Sequence, residues 1–101
     1  MRLDTTTVLV DFTGAPILKD EKSLTVGATL IEALLGLVDG GPAVTGEEKL
    51  DRYRLARRIR DNASINLKAE DVVLLKRLTG AFYVPVVAGQ LWEILEGQDV
   101  E

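Results

Sequence analysis

The chain has 101 residues, with 12 Lys and Arg against 16 Asp and Glu and neither cysteine nor histidine. That length suits one small domain, 1–101, able to bury a core without metal or disulfide support, while the missing residue types exclude thiolate chemistry, cysteine-ligated zinc and the usual general base near neutral pH. The net charge of -4 repels polyanions at long range unless the basic groups are segregated.

The opening residues, "MRLDTTTVLV", lack the charged leader and long apolar core of a secretory signal, and Asp4 interrupts them early. No apolar run approaches the roughly 20 residues that cross a bilayer. A soluble, intracellularly made protein with no membrane association is expected. In "TTVLVDFTGAPIL", residues 6–18, Val8, Val10 and Phe12 alternate with Leu9 and Asp11, a strand period of two. "TGAP" combines a glycine for a positive backbone angle with a proline that cannot join a ladder, so the chain is expected to turn there and return through Ile17 and Leu18 as a short hairpin. Two strands alone are marginal, so the apolar side of the hairpin must pack on helices.

After the polar break "DEKS", "LTVGATLIEALLGLV" predicts a first helix over about 26–38, with Thr25 as N-cap. Leu30, Leu34, Leu37 and Val38 form its stripe, widened by Ile31 and Leu35. Gly27 and Gly36 read as positions of close packing or fraying. "DGGPAV" predicts a loop. A second helix, about 46–61, opens on Thr45 and Glu48, spaced as a reciprocal capping box, and dissolves near "DNAS". Leu50, Tyr53, Leu55, Ala56 and Ile59 are its expected packing positions. The third, about 69–79, carries Glu70 and Asp71 in its first turn, Val72, Leu75 and Leu78 as its apolar line, and Gly80 where a C-terminal cap belongs. Pro85 suits the first position of the fourth, about 85–96, whose stripe is Val87, Leu91, Ile94 and Leu95. "QDVE" reads as a loose tail. The predicted fold is α+β and mainly helical: an N-terminal β-hairpin packed on about four short α-helices.

"KLDRYRLARRIR" concentrates Arg52, Arg54, Arg57, Arg58 and Arg60 in the second helix. At about 100° per residue they scatter around most of the circumference, so no single basic stripe forms. Acids precede bases along this helix, as the macrodipole favours, and Glu48–Arg52 and Arg57–Asp61 are i,i+4 pairs. The expected role is a solvated or internally paired face, with Arg54, Arg57 and Arg58 as a candidate basic docking surface for an acidic protein ahead of nucleic acid. A helix-turn-helix reading is opposed by Glu70 and Asp71, which would meet phosphates at the start of the recognition helix.

Asp11, Glu70, Asp71 and Lys76 are the conceivable acid–base groups, but none sits in a spacing with a mechanism behind it, so no catalytic site is assigned. There is no Walker loop, dinucleotide fingerprint, nucleophile elbow or calcium loop, and no metal or cofactor is expected. Phe82, Tyr83 and Trp92, with Pro85 among them, complete the inventory. They either finish the core or form a candidate protein-binding hot spot, since tyrosine and tryptophan give large contact area at little entropic cost.

The segments "EKSLTVGATLIEALL", "GEEKLDRYRLARRIRDNASINLKAEDVVLLKRLTG" and "VVAGQLWEILEG" resemble small proteins encoded by tailed bacteriophages and prophages. The resemblance covers most of the chain and implies a protein made in the bacterial host cytoplasm, retained there or incorporated in the virion. It transfers no site residues. The expected function is non-enzymatic binding of another phage or host protein, as virion component, assembly factor or inhibitor of a host system, with self-association to a homo-oligomer also expected from the apolar content. The alternative is a nucleic-acid-binding regulator using the arginine helix.

Overall fold

Leu3 and Ile65 lie opposite each other in an antiparallel pair formed by β1 (Arg2–Asp4) and β4 (Ser64–Asn66), and both are buried. The computed structural model describes residues 2–36 and 44–97. Between these strands run β2 (Leu18–Lys19) and β3 (Lys22–Ser23), paired with each other, then α1 (Val26–Leu35) and α2 (Gly46–Asp61). After β4 come α3 (Ala69–Phe82) and α4 (Pro85–Gly97). The protein is α+β and mainly helical, with four helices and a small N-terminal antiparallel sheet (β1 with β4) among the described residues.

Local chemistry sets the helix starts. Thr25 accepts from the Ala28 N–H at 3.2 Å and Thr45 from the Glu48 N–H at 3.1 Å. Only half of the expected capping box forms at Thr45, because the Glu48 carboxylate is drawn to Arg52 and Arg77. Asp71 starts α3 by accepting from the Lys68 N–H at 3.0 Å. α1 packs on both α2 and α3, and α4 packs on α3. Their apolar stripes meet in one core that includes Leu30, Leu34, Leu55, Ile59, Leu75, Leu78, Leu91 and Leu95. The buried hydroxyls of Thr29 and Thr79 are satisfied within their own helices, by the carbonyls of Val26 and Leu75, each at 2.7 Å.

Four expectations are corrected. The 6–18 segment turns at Gly14 and returns through Ile17 as expected, by a Val10–Pro16 bridge and main-chain bonds from Asp11 to Ala15 and from Ile17 to Leu9, but it forms no regular ladder, and regular pairing falls instead at β2–β3, on the polar stretch read as a break. Asp20 and Glu21 form the two-residue loop there, both at positive φ (53° and 67°), the backbone hand that matches strand twist. The expected two-sided alternation over 8–12 is not seen: Leu9 alone is buried, 1 % exposed, with its main chain bonded to Leu24 and Ile17, while Val8, Val10, Asp11 and Phe12 are exposed. α3 does not stop at Gly80 but runs to Phe82, and the missing side chain at Gly80 leaves room for the Trp92 ring against the helix. Leu50 and Tyr53 are exposed, and Arg52 is buried in the packing they were expected to supply. Leu37, Val38, the "DGGPAV" loop up to Ala43 and the "QDVE" tail lie outside the described residues.

Candidate docking surfaces

α2 places its five arginines in different surroundings. Arg52 is 8 % exposed and pairs with Glu48, whose carboxyl is held below its usual range chiefly by that hydrogen bond. Arg77 of α3 reaches the same carboxylate at 3.3 Å, so one acid ties two helices. Arg58 donates to the Asn66 carbonyl at 2.7 Å and stands 3.7 Å from Asp71, bracing α2 against β4 and α3. Arg60 pairs with its neighbour Asp61 at 2.8 Å, while Arg57, expected to pair with Asp61, acts on that carboxyl by its charge without an ion-pair contact. The Arg57 guanidinium instead stacks over Tyr53, 5.4 Å from the ring centroid. Among the described residues Arg54 and Arg57 have no ion-pair partner. The candidate trio Arg54, Arg57 and Arg58 is thus split between two solvent-facing cations and one structural brace.

The aromatic trio at the α3–α4 junction is also tied inward. Tyr83 is half-buried, and its hydroxyl donates to the Thr29 carbonyl at 2.7 Å with Glu32 at 3.2 Å. Burial, then the charge of Glu32, pushes this phenol well above its usual range. Phe82 meets Tyr83 edge to face, centroids 4.9 Å apart, and covers Gly36 at the end of α1, where a side chain would clash with the ring at 2.8 Å. Trp92 is 38 % exposed. Its indole N–H donates to the Lys76 carbonyl at 2.9 Å, the Lys76 ammonium stands 4.9 Å from its ring, and Glu96 holds that ammonium at 2.7 Å.

A residue the sequence reading did not single out stands in the opposite condition. Phe12 is 99 % exposed, yet the turn beneath it is braced by hydrogen bonds. Asp11 Oδ1 accepts from the Thr13 N–H at 2.8 Å, the Thr13 hydroxyl at 2.6 Å and the Ala15 N–H at 3.1 Å. These bonds, that of the hydroxyl foremost, hold the Asp11 carboxyl below its usual range. The Asp11 N–H donates to the Ala15 carbonyl at 2.7 Å, and Gly14 takes the positive φ, 93°, that closes the turn. Gln90 of α4 then fastens this arm to the helix. Its amide accepts from the Val10 N–H at 3.0 Å and donates to the Val10 carbonyl at 2.6 Å, standing in for a neighbouring strand. Between turn and helix runs an open groove of about 390 Å³, lined among the described residues by the apolar Val10, Phe12, Pro85 and Val86 and the charged Asp11 and Glu93. An aspartate two residues before a threonine, followed by glycine, was the available signal for a braced turn.

Among the described residues no cluster of three or more acidic, histidine or cysteine side chains converges as a metal site, and no helix is long and apolar enough to cross a membrane. No protein-family model, curated protein or solved structure matches this chain.

Proposed function

We propose that this chain is a non-enzymatic protein-binding domain, and that Phe12 is the centre of its docking surface. The observation that carries this reading is the combination at one residue of full exposure and a rigid support. A large aromatic ring in water has a standing incentive to be covered. Because its backbone is already ordered by Asp11 and Gln90, covering it costs little further conformational entropy. The resemblance to phage-encoded proteins supplies the context: a virion component or assembly factor, or an inhibitor of a host system, acting in the bacterial cytoplasm or within the particle. Tyr83, Trp92 and Phe82 serve in this reading mainly to hold the helices together.

The test is comparative capture. The full chain and its Phe12→Ser and Trp92→Phe variants are used as baits in lysate of phage-producing bacteria, with bound proteins identified by mass spectrometry. A partner kept by the chain and by Trp92→Phe but lost by Phe12→Ser is the expected result. Equal capture by Phe12→Ser removes Phe12 from the site. The nucleic-acid alternative draws on Arg54 and Arg57, the two arginines of α2 without an ion pair among the described residues. It requires a low-salt duplex shift that weakens steeply with salt and vanishes when Arg54 and Arg57 are reversed to Glu.

A further inference from the structure

We propose that the groove between the Phe12 turn and α4 binds a short segment of a partner protein that carries aliphatic side chains next to lysine or arginine. This rests on the protein-binding reading and names the chemistry of its partner. A patch of helix without a side chain opens onto the groove at Gly89, in the interior of α4, where only proline is less favourable than glycine. Gly27, Gly36 and Gly80 each have a neighbour that a side chain would crowd. Gly89 has none: a Cβ there would meet nothing within 4 Å, and its backbone adopts no positive φ. Nothing within the described residues calls for glycine at this point, so the close approach it leaves open is to a group from outside.

Size and charge define that group. At about 390 Å³ the groove falls in the range of clefts that enclose a small ligand, roughly 300–1,000 Å³, which gives room for a few side chains of a short segment. Val10, Phe12, Pro85 and Val86 offer them an apolar lining. The charges lining the groove among the described residues are both carboxylates, Asp11 and Glu93, and neither is in an ion pair. Thr13 and Ala15 engage Oδ1 of Asp11 and keep the carboxylate ionised, but no cation acts on it. The partial positive charge where α4 begins at Pro85, about half an elementary charge, offsets only part of the two acids. An apolar cleft with uncompensated acids on its walls favours a basic segment and repels an acidic one.

Titrating the isotope-labelled full chain with a short capped peptide of alternating leucine and lysine, followed by amide chemical shifts, gives the reading. Saturable shifts centred on Val10, Phe12 and Gly89 are expected at low salt, and they should fade as ionic strength rises through about 0.15 M. Peptides with glutamate for lysine, or serine for leucine, should leave those signals in place. Asp11→Asn combined with Glu93→Gln removes both charges while the asparagine can still accept for the turn, and should weaken binding roughly three- to tenfold. The same change of net charge outside the groove, Asp51→Asn with Glu70→Gln, should alter it little. Gly89→Ala should raise the unfolding midpoint yet weaken binding, a loss that misfolding cannot cause, and Gly89→Leu, which fills the groove, should abolish it. Shifts spread over the whole surface overturn the proposal, as do equal losses in the two charge-neutralised pairs, binding of the glutamate peptide, or unchanged binding by Gly89→Leu. Should the lysine peptide fail to bind while a protein is still captured through Phe12, the basic-segment inference fails and the protein-binding reading stands.

Discussion

Trp92 and Phe12 are both aromatic, both near glycine and both partly or wholly outside the core, yet they differ in what the rest of the chain has done about them. Trp92 has a carbonyl for its N–H, an ammonium near its ring and a glycine that lets it sit against α3. Phe12 has none of these, and the chain spends hydrogen bonds only on the backbone beneath it. Exposure alone does not separate a structural aromatic from a docking one. The distinguishing mark is whether the side chain or merely its support is held. Stability measurements on the two should therefore diverge.

The largest effect is expected at Trp92. Fully buried aromatic-to-alanine truncations cost about 3–5 kcal/mol, and a partly exposed ring that still packs on a neighbouring helix should cost about 2 kcal/mol. Urea unfolding of Trp92→Ala followed by circular dichroism measures this. A loss under about 0.5 kcal/mol, the range of ordinary surface changes, would place Trp92 with Phe12 and dissolve the contrast.

Tyr83 lies between the extremes. Tyr83→Phe removes a hydrogen bond to the Thr29 carbonyl while keeping the ring contact with Phe82, and should cost about 1 kcal/mol. The same residue gives a pH signature. Its folded-state pKa lies above the ordinary 10.0, so from about that pH upward the unfolded chain loses a proton that the folded chain retains. Stability is then fully present below that range and declines as pH rises through it. In a Tyr53→Phe background, where Tyr83 is the one remaining tyrosine, the phenolate absorbance should appear only together with unfolding. Ionisation in the folded state near pH 10 would mean that the hydroxyl is not held as described.

The helices were legible because their signals are local: Thr25, Thr45 and Pro85 mark starts, and the leucine stripes repeat within each segment. The pairing of β1 with β4 was not. Its partners, Leu3 and Ile65, lie far apart in sequence, and each strand is three residues long, too short for periodicity to register. Alternation over 8–12 placed Leu9 with Asp11, whereas Leu9 alone is buried; the period could not register that the segment is held by main-chain bonds to Leu24 and Ile17, distant in sequence, rather than by a regular ladder. Gly80 failed for a related reason, since a cap and a close approach require the same residue and only Trp92, twelve positions on, distinguishes them. The same period hid Phe12. Read only as one member of an alternating strand, it did not stand out as a ring without a place in the core.

Phe12→Ser should produce the smallest stability change of the series, within about 0.5 kcal/mol of the parent chain. The reason is specific to this turn. Phe12 has no packing to lose in the folded monomer, and the bonds that order the segment come from the Asp11 carboxylate, the Thr13 side chain and main-chain groups, none of which the substitution touches. Asp11→Ala is the complementary change, because it leaves the ring and removes its support. It should loosen residues 11–15, seen as faster amide exchange there with little shift in the global unfolding midpoint. If Phe12→Ser instead destabilised the chain as much as Trp92→Ala, the ring would have an intramolecular role, and its assignment as a docking residue would have to be withdrawn. If it leaves stability intact while partner capture is lost, the two aromatics separate as their surroundings indicate.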